Sequence, residues 1–309
     1  MPLRNLVRRA YAAVPFKRQL FEVFRRRIQL PQRLYQHLHF VGPFRTEIGP
    51  DQYFEMISDG SIVENDLFWG GFGSGSWEPI SLSVWAALCR DRRGLIVDIG
   101  ANTGVYALAA AALAPNAEIV AFEPISRIAK RLVDNVALNH FSITVQQMAV
   151  SARSGRLPIY DTMVDHNYSA SLEGQGPGAA SYEVDVVSLD DWLAGRTGKS
   201  VSAIKIDIER HEPAALWGMR NLLSAQRPPI LIEILDEAIG AVIAQLIHGL
   251  SYRVYRIDEQ RGLILTEQLV RLRQHDRNHL LCTAEEFERA GLCRYLTLGA
   301  DHEKPKQSA

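Results

Sequence analysis

From Gly94 onward the chain alternates short, unbroken apolar runs with longer stretches whose apolar residues recur every three or four positions. Leu95, Ile96 and Val97 form a continuous run, the pattern of a parallel strand covered on both faces, and Asp98 falls where that strand ends. From about Thr103 to Leu113 nearly every residue is Ala, Leu, Val or Tyr, which predicts a helix buried against a sheet. Glu118 to Phe122 predicts a second strand ending at Glu123. The next helix, Ser126 to Asn139, carries Ile128, Leu132 and Val136 as one apolar stripe. Ile143 to Val150 reads as a third strand, Ala203 to Ile208 as a fourth in which Lys205 and Asp207 alternate with apolar residues, and Pro229 to Leu235 as a fifth. Pro213 opens a helix in its first turn, and Ile239, Val242, Ile243, Leu246 and Leu250 mark another. Tyr252 to Ile257 and His279 to Thr283 suit a closing antiparallel pair, separated by Arg261 to Gln274. The fold class is therefore α/β, a mostly parallel sheet built from βαβ units with helices on both faces.

Two stretches break this rhythm. Leu157 to Ser188, with HNYSASL and the glycine-rich EGQGPG, is too long for an ordinary connection; it is either a functional loop, with Asn167, Tyr168 and Ser169 as acceptor contacts, or a surface hairpin. GGFGSGSWEP, Gly70 to Pro79, leads into a helix from Ile80 to Cys89 and is either a linker or a lid. Trp77 and Glu78 just after its glycines favour the lid and a cofactor contact from Glu78.

Composition changes the picture at the front end. The 309 residues carry a net charge of −1, yet Met1 to Thr46 holds ten Lys/Arg against Glu22 alone, a charge of +9, so the remaining 24 basic and 34 acidic residues carry −10. Leu3, Leu6, Val7, Ala10 and then Leu20, Phe21, Phe24 and Ile28 stand at helical spacing among the arginines, predicting two amphipathic helices broken near Pro15. They pack on the body, pack across a homodimer, or lie on a membrane surface as a peripheral contact. No aromatic-and-basic platform recurs further on, so nucleic acid is not expected as a partner. Three scattered cysteines suit a reducing, cytoplasmic setting, and no apolar run approaches a bilayer span. The expected divisions are 1–46 (basic helical segment), 47–92 (lead-in), 93–285 (catalytic domain) and 286–309 (a terminal helix, then a polar tail from Glu303).

The candidate chemistry sits at predicted strand ends. In D-I-G-A-N-T-G, Gly100 and Gly104 bracket Ala101, Asn102 and Thr103 in a turn tight enough for backbone to approach a ligand. Glu123 lies 19 residues after Gly104, at the end of the neighbouring strand, where an acid accepts hydrogen bonds from both ribose hydroxyls of a nucleoside. The extra glycines of a pyrophosphate loop are missing, and an acid before the first glycine suits a cofactor with a cationic end, as in S-adenosylmethionine. The blander alternative makes Asp98 and Glu123 simple caps. After the fourth strand come Asp207, Glu209, Arg210, His211 and Glu212, ionisable groups gathered at the sheet edge where a substrate would meet the cofactor and lose a proton to a base. His211 is the candidate base, oriented by Asp207 or Glu209, and Glu233 lies near the same edge; a metal bridging Asp207, Glu209 and Glu233 is the rival use, and helix capping with a solvated His211 the plain one.

VDIGANTGVYALAA, AFEPISRIAKRLVDNVALN, VVSLDDWL, IKIDIERHEPAALWGM and PPILIEIL resemble, in order and spacing, the FkbM family of S-adenosylmethionine-dependent methyltransferases; DRNHLLC, Asp276 to Cys282, resembles a phrase near the end of that domain. The resemblance spans roughly Trp77 to Thr283. It implies the class I methyltransferase fold, a Rossmann-like seven-stranded sheet whose last strand is antiparallel, and O-methylation of a hydroxyl on a sugar or natural product. Carried over by position, Asp98, Gly100, Asn102, Thr103 and Gly104 line the methionine end of the cofactor and Glu123 its ribose. Arg210 stands where the family has glycine. It keeps open a second reading, a cofactor-binding but inactive chain that serves as a membrane or assembly partner, with the Arg210 side chain filling the acceptor site.

Overall fold

A computed structural model describes residues 16–25, 27–28, 30–73, 75, 77–161, 170–172, 180–196, 198–271 and 276–297. The first predicted amphipathic helix, Asn167 to Ser169 and the polar tail lie outside these residues.

The chain enters through α1 (Lys17–Arg25) and α2 (Gln32–Tyr35), then forms a hairpin of β1 (Gly42–Gly49) and β2 (Gln52–Ser58), followed by α3 (Ile62–Gly70) and α4 (Pro79–Cys89). Thr46 pairs with Phe54, so the division expected at 46/47 falls inside this hairpin. Next come β3 (Gly94–Ile99), α5 (Val105–Leu113), β4 (Ala117–Phe122), α6 (Ser126–Asn139) and β5 (Ile143–Gln146). The predicted third strand stops at Gln146, whose carbonyl accepts from both Glu123 N and Met148 N and turns the chain. Its second half, β6 (Ala149–Val150), joins β7 (Gly155–Asp161), β8 (Ala170–Ser171) and β9 (Ala180–Val187) in a separate four-stranded sheet. The arms of the long excursion are thus a hairpin, Gly155 opposite Val186 through Asp161 opposite Ala180.

The body continues with α7 (Leu189–Ala194), β10 (Val201–Ile206), α8 (Glu212–Trp217), α9 (Arg220–Ala225), β11 (Ile230–Glu233), α10 (Glu237–Ile247), β12 (Arg253–Asp258), β13 (Gly262–Thr266), β14 (Asn278–Cys282) and α11 (Ala284–Arg289). The main sheet has the order β13-β12-β14-β11-β10-β3-β4-β5. Strands β11, β10, β3, β4 and β5 are mutually parallel, and β14 runs antiparallel between β11 and β12. This is the class I methyltransferase order with one strand more than the seven expected. Asp258 Oδ1 accepts from Gln260 N and Arg261 N at 3.0 Å and closes a tight turn, so the segment read as a connection folds back as edge strand β13.

Both faces of the sheet are covered. Ile96, Ala203, Leu231 and Leu280 pack under α4 and α5, whereas Leu95, Val97, Ile99, Ile204 and Ile232 pack under α8, α9 and α10. The N-terminal hairpin is tied to α6 by buried asparagine: Ile57 N donates to Asn135 Oδ1 at 2.9 Å, and Asn135 Nδ2 donates to the Thr103 carbonyl at 2.8 Å. The lead-in residues therefore hold the turn after β3 from behind.

Candidate active site

At the carboxyl edge of the sheet, a period of two converts the apolar layer under α4 and α5 into a polar row. Two residues beyond Ile96 is Asp98; beyond Ala203, Lys205 and then Asp207; beyond Leu231, Glu233; and on the antiparallel strand Asn278 lies two before Leu280. Register makes Asp98 the cross-strand neighbour of Lys205, and Glu233 that of Asn278. Lys205 is buried; its Nζ lies 3.4 Å from Asp207 Oδ2 and 3.4 Å from Asn278 Oδ1, and 4.9 Å from the centre of the Tyr106 ring. Tyr106 in turn donates its hydroxyl to Glu78 Oε2 at 2.6 Å.

One ammonium thus faces the carboxyl groups of Glu78, Asp98, Asp207 and Glu233. Burial pushes Asp98 up to about 7, with Lys205 opposing, and raises Glu78 for the same reasons. Glu233 is driven well above the carboxylate range by burial and then by Asp207. Burial by itself lowers an ammonium, yet the surrounding carboxylates hold Lys205 above its ordinary value. Asp98 Oδ2 and Glu233 Oε2 are buried without a hydrogen-bond partner among the described residues.

The turn after β3 is fixed by two glycines and by Glu123. A Cβ on Gly100 (φ +80) would overlap the carbonyl oxygen of Asp207, and one on Gly104 (φ +103) would overlap Leu132. Asn102 is left-handed at φ +50, with Oδ1 accepting from Thr103 N at 2.8 Å. Glu123 accepts from Asn102 N at 3.0 Å and from Ile125 N at 2.9 Å; burial pushes it up to about 7 against those two bonds. Glu78, Asp98, Tyr106, Glu123, Lys205, Asp207, Glu233 and the turn from Gly100 to Gly104, with Trp77, Glu209 and Arg277, line one cavity of about 240 Å³. Ile159 of β7 and Leu172, just after β8, also line it, so the excursion does reach the site, while Asn167 and Ser169 lie outside the described residues.

Beyond β10 the structure departs from the expectation. His211 does not line the cavity: it is buried behind it, with Nε2 2.9 Å from Ser151 Oγ, because the chain turns into α8 at this residue. The same turn gives Glu209 φ +52 and Arg210 φ +83, and buried Glu212 braces it by accepting from Ile208 N at 3.2 Å and Arg210 N at 3.3 Å. The positive φ explains why glycine suits position 210. The Arg210 side chain points away, pairing with Asp236 at 2.6 Å, and leaves the cavity unfilled. Among the described residues, no group of three His, Cys, Asp or Glu is arranged to hold a metal ion.

Sequence reasoning gave no site role to Lys205, Tyr106, Asn278 or Arg277, whose guanidinium lies 3.5 Å from Glu233. It also missed Glu259 at the β12–β13 turn, which caps α4 by accepting from Ile80 N at 2.7 Å and Ser81 N at 3.2 Å, immediately after Glu78. The period-of-two continuation of the strands was the available signal for Lys205 and Asn278; Glu259 carries none.

The profile of the FkbM methyltransferase domain matches residues 98–257. The chain is 28% identical over 233 residues to the AMB antimetabolite synthetase AmbE of Pseudomonas aeruginosa, which covers 60% of this chain and 11% of that protein. It is 26% identical over 148 residues to the 2-O-methyltransferase NoeI of Sinorhizobium fredii (43% of this chain, 60% of that protein). Over 190 residues it is 27% identical to the 31-O-demethyl-FK506 methyltransferase FkbM of Streptomyces tacrolimicus (52% and 73%). The chain thus spans about a tenth of the first relative and 60% of the second. With the family profile covering half of its length at the strands that build the cavity, the chain belongs to the FkbM methyltransferase family, and its cofactor is S-adenosylmethionine.

Proposed function

We propose that this methyltransferase acts on a hydroxyl oxygen of a carbohydrate or related natural product. The observation that carries the reading is the buried carboxyl cluster around a single lysine, with unpartnered oxygens on Asp98 and Glu233. Such a surplus of negative charge fits a ligand bearing a sulfonium and an ammonium and would repel a pyrophosphate. The two relatives named for oxygen methylation, a 2-O-methyltransferase and a 31-O-demethyl-FK506 methyltransferase, support oxygen as the acceptor atom.

Bound S-adenosylmethionine supplies an electrophilic methyl group on a positively charged sulfur. Asp98 and Glu78 offset the charge of its methionine end, and the backbone of Gly100 to Gly104 gives that end close approach. Glu123 keeps lone pairs free on both oxygens and takes the ribose hydroxyls. Asp207, 3.4 Å from the ammonium of Lys205, orients the acceptor hydroxyl together with Glu209. As that oxygen gains a methyl group it loses its proton, and Glu233 Oε2 takes it, the cofactor's positive charge favouring the ionised carboxylate that can accept a proton. His211, hydrogen-bonded behind the cavity, positions the loop and replaces no part of this chemistry. Arg210 directed at Asp236 argues against the inactive alternative, because the acceptor space stays open.

The test is incubation of the full chain with the cofactor and a panel of mono- and oligosaccharides and hydroxylated natural products, read by mass spectrometry and then by NMR of the methylated position. Methyl ether products are expected. Methylation at nitrogen or carbon only would overturn the reading.

A further inference from the structure

The helix α1 meets the body with one side, and the other is left uncovered by the described residues. Phe21 packs on Trp69 with ring centroids 5.2 Å apart, while Arg25 pairs with Glu22 at 2.7 Å and donates to the Phe68 carbonyl at 2.9 Å. The opposite side is apolar as well. Leu20, Val23 (55% exposed) and Phe24 face away, continued by Phe16 (75%) before the helix and Ile28 (50%) after it. Arg18 and Arg27 are exposed in the same stretch, and the one acid nearby, Glu22, is already bound to Arg25.

We propose that this face docks the enzyme on an anionic lipid surface, the apolar side chains entering the acyl boundary and the arginines meeting the headgroups. Charge complementarity selects that occupant. Residues 1–15 laid on the face would bring Arg4, Arg8 and Arg9 and no acid, and a second copy would bring the same arginines; each sets like charges together. An anionic headgroup layer satisfies both the apolar and the cationic groups. The charge division along the chain, +9 before Glu47 and −10 from Glu47 onward, orients the molecule with α1 toward the lipid and the acidic body away. The helix α3 runs from Phe68 beneath α1 to Val63 in the cavity wall, five residues or about 7.5 Å at the helical rise, so docking holds the cavity close to the lipid. No described helix is long and apolar enough to cross a membrane, so the contact is peripheral.

Flotation of the full chain with vesicles of phosphatidylcholine, alone or mixed with phosphatidylglycerol, tests the proposal. Recovery is expected with the anionic vesicles only, and rising salt should weaken it. The variant Arg18→Gln/Arg27→Gln should partition roughly 25-fold less, and Leu20→Glu/Phe24→Glu at least about tenfold less. Unchanged calorimetric affinity for S-adenosylmethionine in both variants certifies the fold independently of any acceptor. Equal recovery on neutral vesicles, no recovery on anionic ones, or insensitivity to both variants would overturn the proposal. So would sedimentation velocity showing that the variants convert a dimer to monomers, which gives the face to a second copy.

Discussion

The two turns that close the site solve the same backbone problem in opposite ways. After β3, positive φ and close approach fall on Gly100 and Gly104, where any side chain would collide with Asp207 or Leu132. After β10, positive φ falls on Glu209 and Arg210, and buried Glu212 holds the strained amides from beneath. In the first turn the residue type carries the conformation; in the second, a neighbouring carboxylate does. A sequence motif advertises the first kind and hides the second.

The largest effect should come from forcing the first turn to behave like the second. Gly100→Ala places a methyl group against the Asp207 carbonyl in a backbone region alanine resists, so the turn and the end of β10 must separate. A stability loss of about 3 kcal/mol or more and no measurable cofactor binding are expected from denaturation and calorimetry. Retention of binding would mean that this turn tolerates strain as the other does.

The acceptor side is probed next. Glu233→Gln should lower kcat roughly 100-fold while cofactor affinity changes far less, as for loss of a positioned base. His211→Ala should leave kcat within a few-fold and cost about 1 kcal/mol of stability, the worth of its bond to Ser151. The reverse pattern would restore His211 as the base.

These expectations show what was legible. The strand and helix order followed from apolar runs and stripes, because both faces of this sheet are buried and the signal is redundant over six positions. The positions of Asp98, Gly100 and Glu123 at strand ends and in the turn were legible because each sits in a local motif set by its own strand. The position of His211 behind the cavity was not legible, because side-chain direction changes abruptly where a strand breaks into a helix and nothing local fixes the turn. Lys205 was read as an alternating polar residue, yet every residue of β10 is buried, and its partners Asn278, Glu78 and Glu233 come from three distant segments. Such a cluster is visible only once strand order is known.

The same carboxyl groups set a pH response with a defined sign. Asp98, Glu123, Glu64 and Glu212 are each pushed up to about 7, burial being the first cause, whereas the unfolded chain ionises such groups near 4. Between those values the folded state binds more protons, so the cofactor-free protein should lose stability as pH rises from about 4 to 7. A cation favours the ionised forms, so cofactor affinity should rise over the same range and flatten above pH about 7. Melting curves and calorimetry across this range check both slopes; a cofactor affinity independent of pH would remove Asp98 from the cationic end.

The smallest effect is expected where the second turn is made to resemble the first. Arg210→Gly relieves a residue at φ +83, worth about 1 kcal/mol. It also loses a half-exposed ion pair with Asp236 and adds the backbone freedom of glycine to the unfolded chain, two costs of about 0.5 kcal/mol each. Stability should therefore move by less than about 1 kcal/mol, and kcat and KM should not change, because the side chain lies outside the cavity. Arg210→Ala keeps the strain and loses the pair, so it should be the less stable of the two variants. A large gain in activity from Arg210→Gly would show instead that the arginine swings into the acceptor space in solution.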